Sequence, residues 1–398
     1  MKHLAMLAAL IAPLAATAQT DPADWDAVTG AARGQTVYWN AWCGSTTTYD
    51  FIAWVGERVA EDYGVTLEHV KLTDTADAVT RVLAEKQAGE NEDGAIDLIW
   101  INGANFAAMK EQGLLFGPFA EQLPNWQFVD VDGKTVQTDF TVPVEGYEAP
   151  WAMAQVVFIH DTADMEPVGD MIALLEWAQA NPGRFTYPQP PDFLGTTFLK
   201  QTLVDLIGDP AALAEPATDE TYALMTAPLW GYLDTLTPHL WREGRAYPAT
   251  GPAQLQLIAD GEVDLAISFS PGEATAAIAN NQLPDTVRTF VLENGTIGNA
   301  SFVAIPYNSG SSEGAMVVAN FLMSPEAQAR AQNPDILGYG TVLDMAALSA
   351  EDRAAFDALE LGIATLSPAD LGTVQAEPHP SWMTRIADDW TERFGTGQ

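Results

Sequence analysis

The chain has 398 residues, 47% hydrophobic and 18% charged, with 54 acidic against 17 basic side chains and a formal net charge of −37. That length suits roughly two domains, the composition is that of a folded chain, and the charge repels nucleic acid and anionic membranes. The lone cysteine, Cys43, excludes an internal disulfide and a thiolate zinc site, so an apolar core must hold the fold.

Residues 1–18 open with Lys2, continue through an apolar stretch from Leu4 to Leu14, and end in the small-x-small triplet Ala16-Thr17-Ala18. This pattern predicts a secretory signal peptide cleaved after Ala18. No cysteine stands at the cut to accept a lipid, and no later stretch reaches the ~18 apolar residues of a spanning helix. The expected mature protein is exported, periplasmic and soluble. Its acidic balance suits dispersal in a salty medium or attraction of a cationic ligand.

Residues 21–34 read as a short helix or linker. VYWNAW (37–42) suits a buried strand, and Phe51, Ile52, Val55 and Val59 mark one face of a helix over 48–62. VTLEHV (65–70) is a second strand, a helix follows from Thr73 to Gly89, AIDLIWI (95–101) is a third strand, and 102–113 a third helix. This alternation predicts an α/β layer with a mostly parallel sheet, whose ligand sites lie beyond the strand ends. The loops 41–48 and 102–105 occupy such ends.

After a proline-punctuated stretch over 118–150, residues 151–160 read as a long extended segment. A second α/β pattern follows: helix 169–180, strand RFTYP (184–188), helix 196–207, helices near 219–237 and 252–260, strand 263–269, helix 273–281 and strand 286–292. SFVAIP (301–306) is a further strand, and 313–332 and 345–396 read as mainly helical. Two α/β units joined by extended crossings at 150–160 and near 292–301 describe two lobes about a hinge. The first lobe is expected from 19–150 with 301–398, the second from 151–300.

Several segments carry a family resemblance: GQTVYWNAW (34–42), YGVTLEHVKLTDTADAVTRVLAEK (63–86), DLIWINGANFAAMKEQGLLFGP (97–118), YEAPWAMAQVVF (147–158), FLGTTFL (193–199) and GNASFVAIP (298–306). Together they resemble the extracellular solute-binding proteins of bacterial ABC importers, closest to the YnjB-type branch associated with thiamine-type transport. The resemblance implies the type II periplasmic binding protein fold, with mixed sheets flanked by helices in each lobe. It also implies capture of a small solute by a monomer and delivery to a membrane permease driven by a separate ATPase. One departure stands in the first loop, where Trp42-Cys43-Gly44-Ser45-Thr46 replaces the family's Trp-Gly-Gly tendency.

The candidate ligand contacts lie at strand ends and helix starts. Asn40, Trp42, Gly44, Ser45 and Thr46 offer amide, aromatic and hydroxyl groups, or simply cap the next helix. Trp100 and Asn102 offer a stacking face and an amide, or serve as core and cap. Trp151 flanks the hinge as cleft wall or packing residue. From the second lobe come Tyr187, the expected helix start Gly195-Thr196-Thr197, Ser270 and Glu273, the last either neutralising a cation or favouring a helix start. Asn299 stands on the return crossing.

Cation–π stacking on the tryptophans with Glu273 nearby fits an aromatic cation such as thiamine. A sugar, a polyamine, or an anion held at the helix starts are the alternatives. An enzyme, such as a secreted α/β hydrolase, is not expected. His3, His69, His160, His239 and His379 lack metal-ligand spacing, no G-x-S-x-G nucleophile signature is present, and no G-x-x-x-x-G-K-[ST] loop occurs. Nothing in the sequence calls for a cofactor.

Overall fold

The computed structural model describes residues 20–42, 46–207, 210–367 and 369–395. The expected signal peptide lies outside the described residues, as do Cys43, Gly44 and Ser45. Among the described residues no helix is long and apolar enough to cross a membrane.

In chain order the first half comprises α1 (Trp25–Ala32), β1 (Thr36–Trp42), α2 (Thr46–Tyr63), β2 (Thr66–Leu72), α3 (Thr75–Ala88), β3 (Leu98–Ile101) and α4 (Ala104–Glu111). A short hairpin, β4 (Thr138–Asp139) and β5 (Val142–Pro143), precedes the paired crossings β6 (Glu148–Gln155) and β7 (Val157–Asp161). Then come α5 (Met171–Ala180), α6 (Phe193–Ile207), α7 (Asp219–Leu236), α8 (Gly251–Ala259), β8 (Leu265–Ser268), α9 (Glu273–Ala279) and β9 (Val287–Phe290). The return consists of β10 (Thr296–Ala304), α10 (Ser312–Leu322), α11 (Pro325–Gln332), α12 (Ala350–Asp357), β11 (Val374–Gln375) and α13 (Pro380–Phe394).

The first sheet runs β11-β10-β3-β1-β2, with β6 also pairing β10. Strand β1 is parallel to β2 and β3, whereas β10 is antiparallel to β3 and β6, so the sheet is mixed. Its inner face carries Val37, Trp39 and Ala41, packed with Phe51, Trp151, Phe302 and the buried side of α10. The second sheet, β8-β7-β9, is antiparallel throughout. It packs against Phe185, Phe198, Leu203, Leu229 and Leu233 in a separate core.

The chain crosses between sheets twice. It leaves β6 through Val156, whose N–H donates to the Ile297 carbonyl at 2.8 Å, and enters β7. It returns from β9 into β10, so the crossing expected near 292–301 is largely strand, paired with β6 from Gly298 to Ala304. Because these two crossings bond to each other, relative motion of the cores must bend a two-stranded ribbon, and the chain between α12 of the first core and α13 of the second must move with it.

Several sequence expectations need correction. RFTYP is not a strand: Phe185 makes an isolated bridge to Leu265, and the backbone carbonyls of Arg184, Phe185 and Thr186 accept from Asp264 N–H, Trp241 N–H and Gln254 Nε2 instead of a continuous ladder. Helix α6 begins at Phe193, three residues before the expected start, because the Asp192 carboxylate accepts from Leu194 N–H at 2.9 Å and Gly195 N–H at 3.2 Å. Among the described residues of 345–395 the chain is helical only over α12 and α13, with β11 and irregular chain between. The apolar face of the terminal helix joins the second core, while the helix also lies against α4. Trp382, Ile386 and Trp390 of α13, spaced by four, belong to the second core, although α10 and α11 fill the first.

Within that second core the Trp390 indole N–H donates to Tyr187 Oη at 2.9 Å, and Tyr187 stacks on Phe198 with ring centroids 4.4 Å apart. Tyr187→Phe leaves the buried indole N–H unpaired, which costs about 1–3 kcal/mol. Urea unfolding is expected to show that loss, with solute affinity unchanged; unaltered stability would contradict the packing assigned to α13.

Candidate functional site

The polar groups that matter collect where the two cores meet, along one row of strands. Asn102 follows β3 and donates from Nδ2 to the Ala300 carbonyl at 2.7 Å, and Ala300 on β10 pairs with Met153 on β6. Met153 in turn exchanges both backbone hydrogen bonds with Gly340, at 2.7 and 2.8 Å. Neighbouring strands are about 4.8 Å apart, so the residues beside these positions share one face of the junction.

At one end of the row lies a buried ionic cluster. Lys200 of α6 and Glu377, between β11 and α13, form an ion pair at 2.6 Å, with side-chain exposures of 0% and 1%. The other Glu377 oxygen accepts from Asn299 Nδ2 at 3.0 Å. The Lys200 ammonium lies 4.6 Å from the Phe140 ring centroid and 5.5 Å from that of Phe193. Phe140 belongs to the β4–β5 hairpin, and its ring covers Gly103, where a Cβ would fall 2.7 Å from it. Lys200 therefore ties α6 of the second core to the hairpin of the first.

Asp139 is fully buried beside this cluster. It accepts from Gly103 N–H at 2.6 Å and Asn102 Nδ2 at 3.3 Å. Burial pushes its pKa up to about 8, despite those two bonds; Glu377 raises it further and Lys200 opposes. Glu148, at the start of β6, is also fully buried, and neither of its oxygens has a hydrogen-bond partner. Burial, reinforced by Asp139, drives its pKa well above the ordinary range, and Lys110 only partly counters this. Glu377 is raised by burial too, with Lys200 and Asn299 pulling the other way.

At the other end of the row, loops from the two cores touch directly. A Cβ on Gly272 would lie 2.5 Å from Gly338 Cα, so side chains are excluded there. Ser270 Oγ donates to the Leu337 carbonyl at 2.9 Å. Glu273 opens α9 and accepts from Ser268 Oγ; burial raises its pKa against that bond. Tyr339 is raised by burial and by the nearby Glu273. Behind Tyr339 stands an aromatic stack in which Trp151 meets Tyr339 at 5.9 Å, Trp100 at 4.8 Å and Phe51 at 5.9 Å between centroids.

The sequence-derived candidates separate accordingly. Asn102, Asn299, Ser270 and Glu273 all sit at the junction. Trp100 is half-buried beside it, and Trp151 is 1% exposed, a support for Trp100 and Tyr339. Asn40 is buried on β1, where its Nδ2 lies 3.4 Å from the Tyr38 carbonyl; Trp42 is 38% exposed and Thr46 is exposed. Tyr187 is a core residue rather than a cleft wall. Gly195, Thr196 and Thr197 lie inside α6, with Gly195 packed on the Pro188 carbonyl. The Thr196 and Thr197 hydroxyls are buried without a hydrogen-bond partner, four and three residues from Lys200 and so on its side of the helix.

Sequence reasoning missed Asp139, Glu148, Lys200, Tyr339 and Glu377. Lys200 carried a signal: it interrupts FLGTTFLKQTLVDLI, a segment buried on all sides from Gly195 to Val204, where an isolated cation requires a partner. Glu377 and Asp139 carried none, being two among 54 acids.

The family model for bacterial extracellular solute-binding proteins matches residues 54–358. The chain belongs to that family. It is 42% identical to Protein YnjB of Escherichia coli (strain K12) over all 398 residues, covering 100% of both chains. Among solved structures it is similar to the periplasmic binding protein AfuA of Actinobacillus pleuropneumoniae, with exogenous fructose-6-phosphate bound, at TM-score 0.62 and 14% identity, covering 91% of this chain and 99% of that one. It is likewise similar to the spermidine/putrescine ABC transporter substrate-binding protein PotD of Streptococcus pneumoniae, at TM-score 0.61 and 16% identity, covering 90% and 98%. The fold is that of the type II periplasmic binding proteins, and the chain is an ABC-type solute-binding protein.

The buried acids impose a sign on pH dependence. Asp139 holds its proton to about 8 in the folded chain against 3.8 as the reference value. The folded state thus binds more protons across that interval, and stability falls as pH rises through it. Glu148, Glu273 and Glu377 shift the same way. Urea midpoints of the unliganded protein should decline between pH 5 and 8, and Asp139→Asn should flatten the decline. A rising midpoint would contradict the ionic state assigned to the junction.

Proposed function

We propose that this protein captures a small cationic solute, of the thiamine type, in the periplasm between its two lobes and delivers it to the permease of an ABC importer. The carrying observation is the charge imbalance at the junction. Asp139, Glu148 and Glu377 are buried there, with Glu273 at the other end of the row, against Lys200, the one fully buried Lys or Arg among the described residues. In a hydrated, open cleft those carboxyls ionise, and a cation entering between them recovers Coulomb energy that closure would otherwise lose to desolvation. Trp100 and Tyr339, backed by Trp151, supply aromatic surface beside Glu273, which suits a flat cationic ring.

The alternative of an anion at the start of α6 is disfavoured. Its first free N–H groups are already taken by the Asp192 carboxylate, and Asp74 lies close enough to raise the Asp192 pKa further, after burial. An incoming anion would meet two acids where the helix dipole alone would attract it.

Thermal-shift and calorimetric titrations of the mature protein with thiamine, a neutral hexose and fructose-6-phosphate test the reading. Thiamine should raise the melting temperature, Glu273→Gln should weaken its binding about tenfold or more, and Trp100→Ala should cost about 0.5–2 kcal/mol. Stabilisation by the sugar phosphate without any by thiamine would refute it.

A further inference from the structure

The surroundings of Lys200 are those expected for a bound alkylammonium. A carboxylate oxygen lies at 2.6 Å, and ring centroids lie at 4.6 and 5.5 Å from Nζ. The acid is oriented by the Asn299 amide at 3.0 Å. Carboxylate plus aromatic faces is the combination by which proteins hold a desolvated ammonium. Here the chain provides the guest as well as the host. The contributors come from three directions: Lys200 and Phe193 from α6, Phe140 from the β4–β5 hairpin, and Glu377 from the segment leading to α13.

We infer that Lys200 fills an ammonium site of the cleft from within the chain and thereby limits the solute to one positive charge. The inference rests on the reading of the cleft as a cation site and narrows its substrate class. With Lys200 seated, Glu377 has both oxygens engaged. What stays unmatched on that side is Asp139, whose partners are the neutral Gly103 N–H and Asn102 amide, with the unpartnered Thr196 and Thr197 hydroxyls. One further cation satisfies those groups. A second, carried by a diamine, would be left facing a carboxylate that is already paired. Removing the lysine chain opens a slot of nearly the length of a four-carbon ammonium arm, lined by Glu377, Phe140 and Phe193.

Two measurements on the purified full-length mature protein test this. In the first, Lys200→Ala and the unsubstituted protein are melted with n-butylammonium chloride, n-butanol or sodium chloride at equal concentration. Butylammonium should raise the melting temperature of Lys200→Ala by several degrees more than that of the unsubstituted protein, while butanol and sodium produce no such difference. In the second, 1,4-diaminobutane is titrated calorimetrically and should bind Lys200→Ala at least tenfold more tightly than the unsubstituted protein. If Lys200→Ala fails to fold, Lys200→Met keeps the aliphatic stem and carries the diamine titration, with the same tenfold gain expected. No selective rescue by butylammonium, or equal diamine affinity with and without the lysine ammonium, overturns the inference. The butylammonium arm reads the Lys200 cradle alone, so its failure is distinct from a failure of the unsubstituted protein to bind thiamine.

Discussion

A carboxylate taken out of water costs several kcal/mol unless a cation or a set of donors compensates. Where the two cores of this protein meet, Asp139, Glu148 and Glu377 are all buried, and Lys200 answers them with one ammonium. Two responses are open to such a site. The surplus acids, Asp139 and Glu148, take up protons, as their upward shifts describe for the unliganded chain, while Glu377 stays paired with Lys200. Or a cation from solution takes the place of those protons. A carboxyl that is protonated when the cleft closes empty and ionised when it closes on a cation makes the two events compete. On the proposed reading of the junction as a cation site, capture releases protons and the empty closed form is penalised as pH rises.

The fold sets this junction where it does because both crossings run side by side. Strands β6 and β10 pair within the first sheet, then diverge through Val156 and residues 291–295 into the second. Each strand of that ribbon brings one polar contact region with it. Asn299 on β10 reaches Glu377, and Met153 on β6 holds the Gly340 loop that carries Tyr339 towards Glu273. Helix α13 then fastens the C-terminal segment to the second core through Trp382 and Trp390. Glu377, three residues before α13, is thereby fixed against Lys200 rather than left on a mobile tail.

Much of this was legible in the sequence wherever the signal was local. Alternation of strand and helix gave the α/β class, and the glycine after α3, Gly89, stops that helix in the left-handed conformation its position suggests. Polar residues at strand ends pointed to Asn102, Ser270 and Glu273. The signal failed where position depends on distant chain. The spacing of Trp382, Ile386 and Trp390 marks an amphipathic helix, yet periodicity cannot say which core receives the apolar face. Tyr187 reads as a strand-end aromatic until Trp390 and Phe198 are seen around it. Pairing of Lys200 with Glu377, 177 residues apart, is a tertiary fact that no local pattern encodes.

The most direct examination of the charge argument is native mass spectrometry of the mature protein, expressed in its own exporting cell and purified without dialysis. A small, singly charged cation should travel with the chain and be lost when Asp139→Asn or Glu273→Gln is introduced. A passenger that is neutral or anionic, or one whose retention ignores both substitutions, would contradict it.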